Sequence, residues 1–265
     1  MVNKEIELTD FMDYLKRMGI GETDRVIVNG GEPFLHSQIV DLLKNLKTIG
    51  CEVLIYTNGT LLQNYDFDFI TSKFRFVIPV HGYADLHDYI VCNKGGFDKM
   101  KNGVTHLAQY NCLIDIKIIL NDSMINNDIC FDKTLEMIDT IEFNNAIHIQ
   151  KMADTIISKK NNCPSVSMDS ASVYTAKAFC HFKDRVKAIK LFDTCVKDIE
   201  INNYVERRPS FKVYFKDWQH EKSFPLKTTD LECKQWCSKS DRCFSAVDSY
   251  VALEYRNGLF YKALE

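Results

Sequence analysis

Apolar residues recur along the first two-thirds of the chain in two alternating rhythms. Phe11, Tyr14, Leu15 and Met18 fall at helical spacing, and Gly19 and Gly21 close that segment. Val26-Ile27-Val28 is a short β-rich run that leads straight into Gly30-Gly31. Ile39, Leu42, Leu43, Leu46 and Ile49 mark a second helix ending at Gly50, and Val53 to Tyr56 is a strand punctuated by Asn58-Gly59. The beat continues with a strand from Phe74 to Pro79 and a helix face of Phe97, Met100, Val104 and Leu107. A strand from Leu113 to Leu120, a short helix from Leu135 to Ile141 and a strand from Ala146 to Ile149 come next. A helix over Ser170 to Val186 and a last strand over Ile189 to Phe192 complete the series. The strands read as fully apolar runs, which predicts a parallel sheet covered by helices. Right-handed crossovers then leave a doubly wound sheet or a complete or partial (β/α) barrel.

Past about residue 155 the texture changes: Lys159 to Asn162 reads as a loop, and from Asp198 onward periodicity weakens while charge and aromatics mix. The expected organisation is a barrel-like unit over residues 1–193 and a loop-rich, cysteine-bearing extension over 194–265. With 265 residues and 46% hydrophobic composition, the chain fills a proper core. A formal net charge of −3 excludes nucleic-acid binding driven by bulk charge. No apolar run is long enough to span a membrane, and MVNKEIELTDF lacks the apolar core of a signal peptide, so the expected compartment is the reducing cytoplasm. There, clustered cysteines bind metal more often than they pair. Of the ten cysteines only Cys233, Cys237 and Cys243 bunch together. A metal staple suits a segment that cannot order itself by apolar burial alone.

Candidate chemistry gathers at the ends of strands, where parallel α/β sheets bind ligands. Asn29-Gly30-Gly31-Glu32-Pro33 follows the first strand; two glycines let backbone approach a ligand, although an ordinary tight turn has the same look. Thr57-Asn58-Gly59-Thr60 follows the next strand, as a small polar floor or simply a turn. His81 sits just past the third strand, placed as acid, base or ligand, and His87-Asp88 reads equally as a surface pair capping a helix. Lys117 to Asn121 ends another strand, with Asn121-Asp122 on the same rim.

These segments resemble the radical S-adenosylmethionine (SAM) superfamily. VNGGEPFLHSQIVDLLKNLKTIGCEVLIYTNGTLL is similar to its second and third βα units, and IPVHGYADLHDYIVCNKGGFDKMKNGVTHLAQYNCLIDIKIILN to its fourth and fifth. The resemblance implies that Gly30, Gly31, Glu32 and Pro33 meet the amino group of SAM, with Asn58, His81 and Asn121 as further rim contacts. His87, Asp88, Gly95, Gly96 and Phe97 are most similar to peptide-modifying members, among them the His-Xaa-Ser-system maturases. Cys195, then Asp217-Trp218, then Cys233-x3-Cys237-x5-Cys243 follow the order of an auxiliary [4Fe–4S] site in that branch, with one residue more than expected between the first clustered pair. Zinc accepts the same four thiolates.

The resemblance also implies a Cys-x3-Cys-x2-Cys loop upstream of the Gly-Gly-Glu-Pro turn, and no cysteine precedes Cys51. The expectation is a barrel lacking its first strand, with Val26 to Val28 as a bare apolar edge. Three readings follow. The chain is one part of a split or truncated peptide-modifying enzyme, completed by a second chain that carries the strand and the cluster. Or it is a pseudoenzyme that binds a peptide or relays electrons. Or Cys233, Cys237 and Cys243 form a displaced SAM cluster.

Overall fold

The computed structural model describes residues 6–152, 166–192, 204–206, 251–256 and 259–264. A first helix, α1 (Leu8–Arg17), precedes six strands with helices between them. The strands are β1 (Arg25–Val28), β2 (Glu52–Tyr56), β3 (Phe74–Val80), β4 (Leu113–Leu120), β5 (Ala146–Lys151) and β6 (Ala188–Phe192). The helices are α2 (Ile39–Ile49), α3 (Ala84–Val91), α4 (Gly96–Leu107), α5 (Asp122–Ile125), α6 (Asp128–Ile138) and α7 (Met168–Phe182). Local chemistry sets several ends: Gly50 caps α2 in the left-handed conformation at φ 79°, and the Asn127 and Ser167 side chains accept amide hydrogens at the starts of α6 and α7. The helix expected from Leu135 therefore starts a full two turns earlier, at the cap that Asn127 provides. The helix expected to reach Val186 ends at Phe182, and α3 was not foreseen from the pattern.

β1 to β6 lie in sequence order and are parallel throughout, forming an open sheet with β1 at one end. Among the described residues beyond 193 are three further strands, β7 (Tyr204–Glu206), β8 (Val251–Arg256) and β9 (Leu259–Leu264), which the weak periodicity there did not signal. They extend the sheet past β6 in the order β8, β9, β7, with β8 antiparallel to β6.

The two faces of the sheet differ. On one, Val53, Ile55, Phe76, Ile78, Ile114, Ile116, Ile118, Ile147, Ile149 and Leu191 share a single apolar cluster with helix residues such as Leu43, Met100, Val104, Phe131 and Phe179. The opposite face carries Arg75, Asp115, Lys117, His148, Gln150 and Lys190 at alternate strand positions. The expectation of fully apolar strands is thus corrected for β4 to β6: Asp115, Lys117, His148, Gln150 and Lys190 interrupt them at positions that share one face, the face that does not pack on the helices. No helix among the described residues is long and apolar enough to cross a membrane.

Candidate functional site

The loop after β1 is open on one half and anchored on the other. Asn29 Oδ1 accepts the Gly30 amide at 2.8 Å, and both Gly30 and Gly31 are exposed. A Cβ added at either glycine meets nothing within 4 Å among the described residues, and neither has a positive φ. Neither packing nor backbone conformation requires glycine there. From Glu32 onward the loop is fixed. Pro33 starts a 3₁₀ turn and Phe34, 1% exposed, packs among Tyr65, Phe67 and Phe76, while the Tyr65 hydroxyl donates to the Phe34 carbonyl at 2.6 Å.

Glu32 joins this loop to the next. Its Oε1 accepts the Phe34 amide at 3.1 Å and the Thr57 hydroxyl at 2.6 Å, and its Oε2 accepts the Asn58 amide at 2.8 Å. A carboxylate has about four acceptor sites, so capacity for roughly one more donor remains. In the turn after β2, Asn58 Oδ1 takes the Thr60 amide and hydroxyl at 2.9 and 2.6 Å, so Asn58 builds its own turn and stays exposed. Gly59 stands at φ +78°, backed by Met100 and Ile78, and α4 approaches so closely that a Cβ on Gly103 would collide with the Gly59 carbonyl.

His81 follows β3 and has its backbone tied on both sides. Its amide donates to His87 Nδ1 at 3.3 Å, and its carbonyl accepts Asn121 Nδ2 at 2.7 Å. Its ring meets His87 edge-on at 5.6 Å, and His87 meets Phe97 the same way at 5.7 Å. Burial, reinforced by His87, pushes His81 down to about 4. Burial also pushes His87 to about 4, against the opposing pull of Asp88. Both imidazoles are neutral at pH 7. The His81 Nδ1 is buried and has no hydrogen-bond partner among the described residues. An orphaned lone pair is cheaper than an orphaned N–H, so the proton sits on Nε2.

Asn121 is fully buried and its amide is wholly engaged: Nδ2 donates to the His81 and Ile119 carbonyls, and Oδ1 accepts the Met124 amide at the start of α5. It orders the rim from below rather than lining it. Asp88 accepts the Gly95 and Phe97 amides, the Phe97 one at 2.8 Å, and so caps α4. The structure therefore brings Gly30, Gly31, Glu32, Pro33, Asn58 and His81 to neighbouring strand ends and keeps Asn121 beneath them. Cys195, Cys233, Cys237 and Cys243 lie outside the described residues. Cys51, Cys92, Cys112, Cys130 and Cys180 are free thiols, of which Cys51 and Cys112 are buried. Among the described residues no three metal-ligating side chains gather in one place.

A second constellation, unforeseen from the sequence, occupies the face opposite the helices. Asp115 Oδ1 accepts Asn145 Nδ2 at 2.6 Å and the Ala146 amide at 3.1 Å, and its Oδ2 lies 2.8 Å from His148 Nε2 and 3.9 Å from Arg75 Nε. Burial raises this carboxyl, but the hydrogen bond and charge of His148, then Lys190 and Arg75, outweigh it and hold the group below its ordinary value. The sequence signal was the few polar residues, Asp115, Lys117, His148, Gln150 and Lys190, set at alternating positions inside otherwise apolar strands, and it was masked by the strength of the apolar runs.

No family model matches the sequence, nor does any curated protein to a significant degree. Solved structures similar to it include a domain of a pyruvate-formate lyase-activating enzyme from Bacteroides vulgatus, at 14% identity and TM-score 0.47, covering 61% of this chain and 94% of that one. Another is anSMEcpe with bound AdoMet and a Kp18Cys peptide, at 13% identity and TM-score 0.48, covering 68% of this chain and 52% of that one. A third is a radical SAM methyltransferase from Sphaerobacter thermophilus, at 10% identity and TM-score 0.43, covering 70% of this chain and 56% of that one. This chain thus spans little more than half the length of the last two.

Proposed function

We propose that the rim built from Gly30, Gly31, Glu32, Asn58 and His81 binds SAM, and that the chain is the body of a peptide-modifying radical SAM enzyme. One observation carries the reading: Gly30 and Gly31 are exposed glycines for which the described residues give no packing or backbone reason. Backbone without side chains at a strand end is what a ligand must approach closely. The residues fit the group. Glu32 keeps acceptor capacity suited to an ammonium, Pro33 and Phe34 hold the loop rigid, and Asn58 and the neutral His81 present donors on adjacent strand ends. Bound there and reduced by one electron from the cluster, SAM would supply 5′-deoxyadenosyl radical chemistry for hydrogen-atom abstraction from a peptide.

The proposal assigns the reducing cluster to a second chain that adds a strand beside β1. β1 ends the sheet, and Ile27 on it is 44% exposed, an apolar edge of the kind that proteins cover or pair. It also assigns Cys195, Cys233, Cys237 and Cys243 to an auxiliary [4Fe–4S] cluster or zinc. A second reading, a non-catalytic subunit that binds a peptide or relays electrons, has its own support: Glu32 is already engaged in holding two loops together, which is reason enough for the fold to retain it.

Calorimetric titration of SAM into the full chain tests the rim. Binding is expected in the parent and lost in Gly31→Val, with thermal unfolding of the two indistinguishable; absent binding, or binding indifferent to Gly31→Val, overturns it. 5′-Deoxyadenosine release after anaerobic reconstitution together with the cluster-bearing second chain separates the catalytic reading, which expects release, from the non-catalytic one, which expects none. Metal and sulfide analysis of Cys233→Ala and Cys243→Ala decides the tail site, where unchanged stoichiometry removes it.

A further inference from the structure

We propose that a cavity at the pole of the sheet opposite the rim binds a free α-amino acid with an apolar side chain. The site is independent of the SAM reading. It lies where β5 and β6 begin, between the connection that follows α6 (139–145) and the one that follows α7 (183–187). Its volume of about 500 Å³ is in the range of small-ligand pockets. The floor is apolar: Ile141 and Phe182 are buried, and Phe143 and Val186 pack half-buried beside them. The walls are held from behind. Asn144 Oδ1 accepts the Ile114 amide and its Nδ2 donates to the Cys112 carbonyl, both at 2.9 Å. Asn145 Nδ2 donates to Asp115 at 2.6 Å, and the Lys187 amide donates to the Asn145 carbonyl at 3.0 Å, which ties the two connections together. Walls fixed in this way cost little ordering when a ligand enters.

The mouth carries charge of both signs. Asp184 and Lys187 line it and are exposed, and among the described residues neither side chain makes a hydrogen bond or an ion pair. Arg185 Nη1 lies 3.0 Å from Asp139 Oδ2 and 2.7 Å from His181 Nε2, which fixes the guanidinium in place. The N–H donors of its Nε and Nη2 are left over from that contact. α6 and α7 both end at this pole, at Ile138 and Phe182, and their last carbonyls favour a cation. An ammonium beside Asp184 and a carboxylate beside Lys187 and Arg185 answer all of these charges at once. A simple anion would leave Asp184 and the helix ends unanswered, and a simple cation would leave Lys187 and Arg185 so. The apolar floor takes a side chain that has no polar atoms of its own.

Titration of the full chain with L-leucine and with L-phenylalanine tests the site, read by calorimetry and by the amide NMR signals of Asn144, Asn145 and Lys187. At least one of the two is expected to bind and to move those signals. For the amino acid that binds, its amide lacks the carboxylate and its deaminated acid lacks the ammonium; each is expected to bind roughly tenfold more weakly. Asp184→Ala and Lys187→Ala are expected to weaken binding to a similar degree, with thermal unfolding of the free protein unchanged. Signals unmoved by both amino acids overturn the proposal, as does an amide or deaminated acid that binds as tightly as its parent compound. Those readouts use the parent protein and stand whatever the variants do. Equal binding by the parent and either variant overturns it too.

Discussion

The loop after β1 and the turn after β2 stand side by side, joined through the Glu32 carboxylate, and they use glycine in opposite ways. In the turn, glycine is a demand of the fold. Gly59 takes a left-handed φ of +78°, and Gly103 on α4 exists to let the helix rest on the Gly59 carbonyl. Gly82, next along the rim, has φ +154° with the Leu86 side chain 2.6 Å from where a Cβ would sit. In the loop, Gly30 and Gly31 have ordinary φ values, and no described residue lies within 4 Å of where a Cβ would sit. A glycine explained by packing says nothing about ligands; one that packing leaves unexplained points to something outside the chain.

Substitutions sharpen this contrast. The largest effect belongs to Gly103→Ala, where the clash is with backbone and cannot relax by a rotamer change; a loss of more than about 3 kcal/mol is expected by urea denaturation. Retention of parental stability would show that α4 and the Asn58-Gly59 turn are not in contact.

Acid acts next, on the His81–His87 pair beside the turn. Their folded values of about 4 lie below the ordinary 6.5, so between those values the unfolded chain binds more protons and stability falls as pH drops. Each shift taken alone corresponds to on the order of 3 kcal/mol, and the two are coupled, so their sum is smaller. Denaturant midpoints across this range should decline, and His87→Gln should flatten the decline; a flat parental profile contradicts the burial of the pair.

A smaller effect is expected at the joint between the loops. In Glu32→Gln an amide NH2 replaces the oxygen that faces the Asn58 amide, setting donor against donor, and about 1–2 kcal/mol is expected to be lost in thermal or urea unfolding. The smallest belongs to Gly31→Ala, which should leave stability within about 0.5 kcal/mol of the parent. A larger loss there would mean that the open loop carries a structural role after all.

Legibility in the sequence followed the same division. The strands β1 to β6 were recognisable within one or two residues, because each is a run of apolar and β-branched residues bounded by turn chemistry. α2 was recognisable in full, from its periodicity and the glycine at its C-terminus. α3 was missed: its positions 84–91 mix exposed Tyr89 and Val91 with buried His87, and no stripe emerges. At the rim, the glycine pair was visible as a motif, but its decisive property, empty space, is a fact of three dimensions. Asn121 looked like a rim residue from its place at a strand end. Its amide instead reaches back to His81 and forward to Met124, contacts set by neighbours 40 residues and 3 residues away.

The sequence by itself determined the alternation of strand and helix, the parallel sheet and the position of the Gly-Gly-Glu-Pro turn, because these depend on local propensity, periodicity and turn residues within a few positions of one another. Only the tertiary structure decided which face of the sheet is apolar and that Asp115, His148, Arg75 and Lys190 meet on the other. Those residues are dispersed over more than a hundred positions, and what gathers them is strand register, a property no single segment carries.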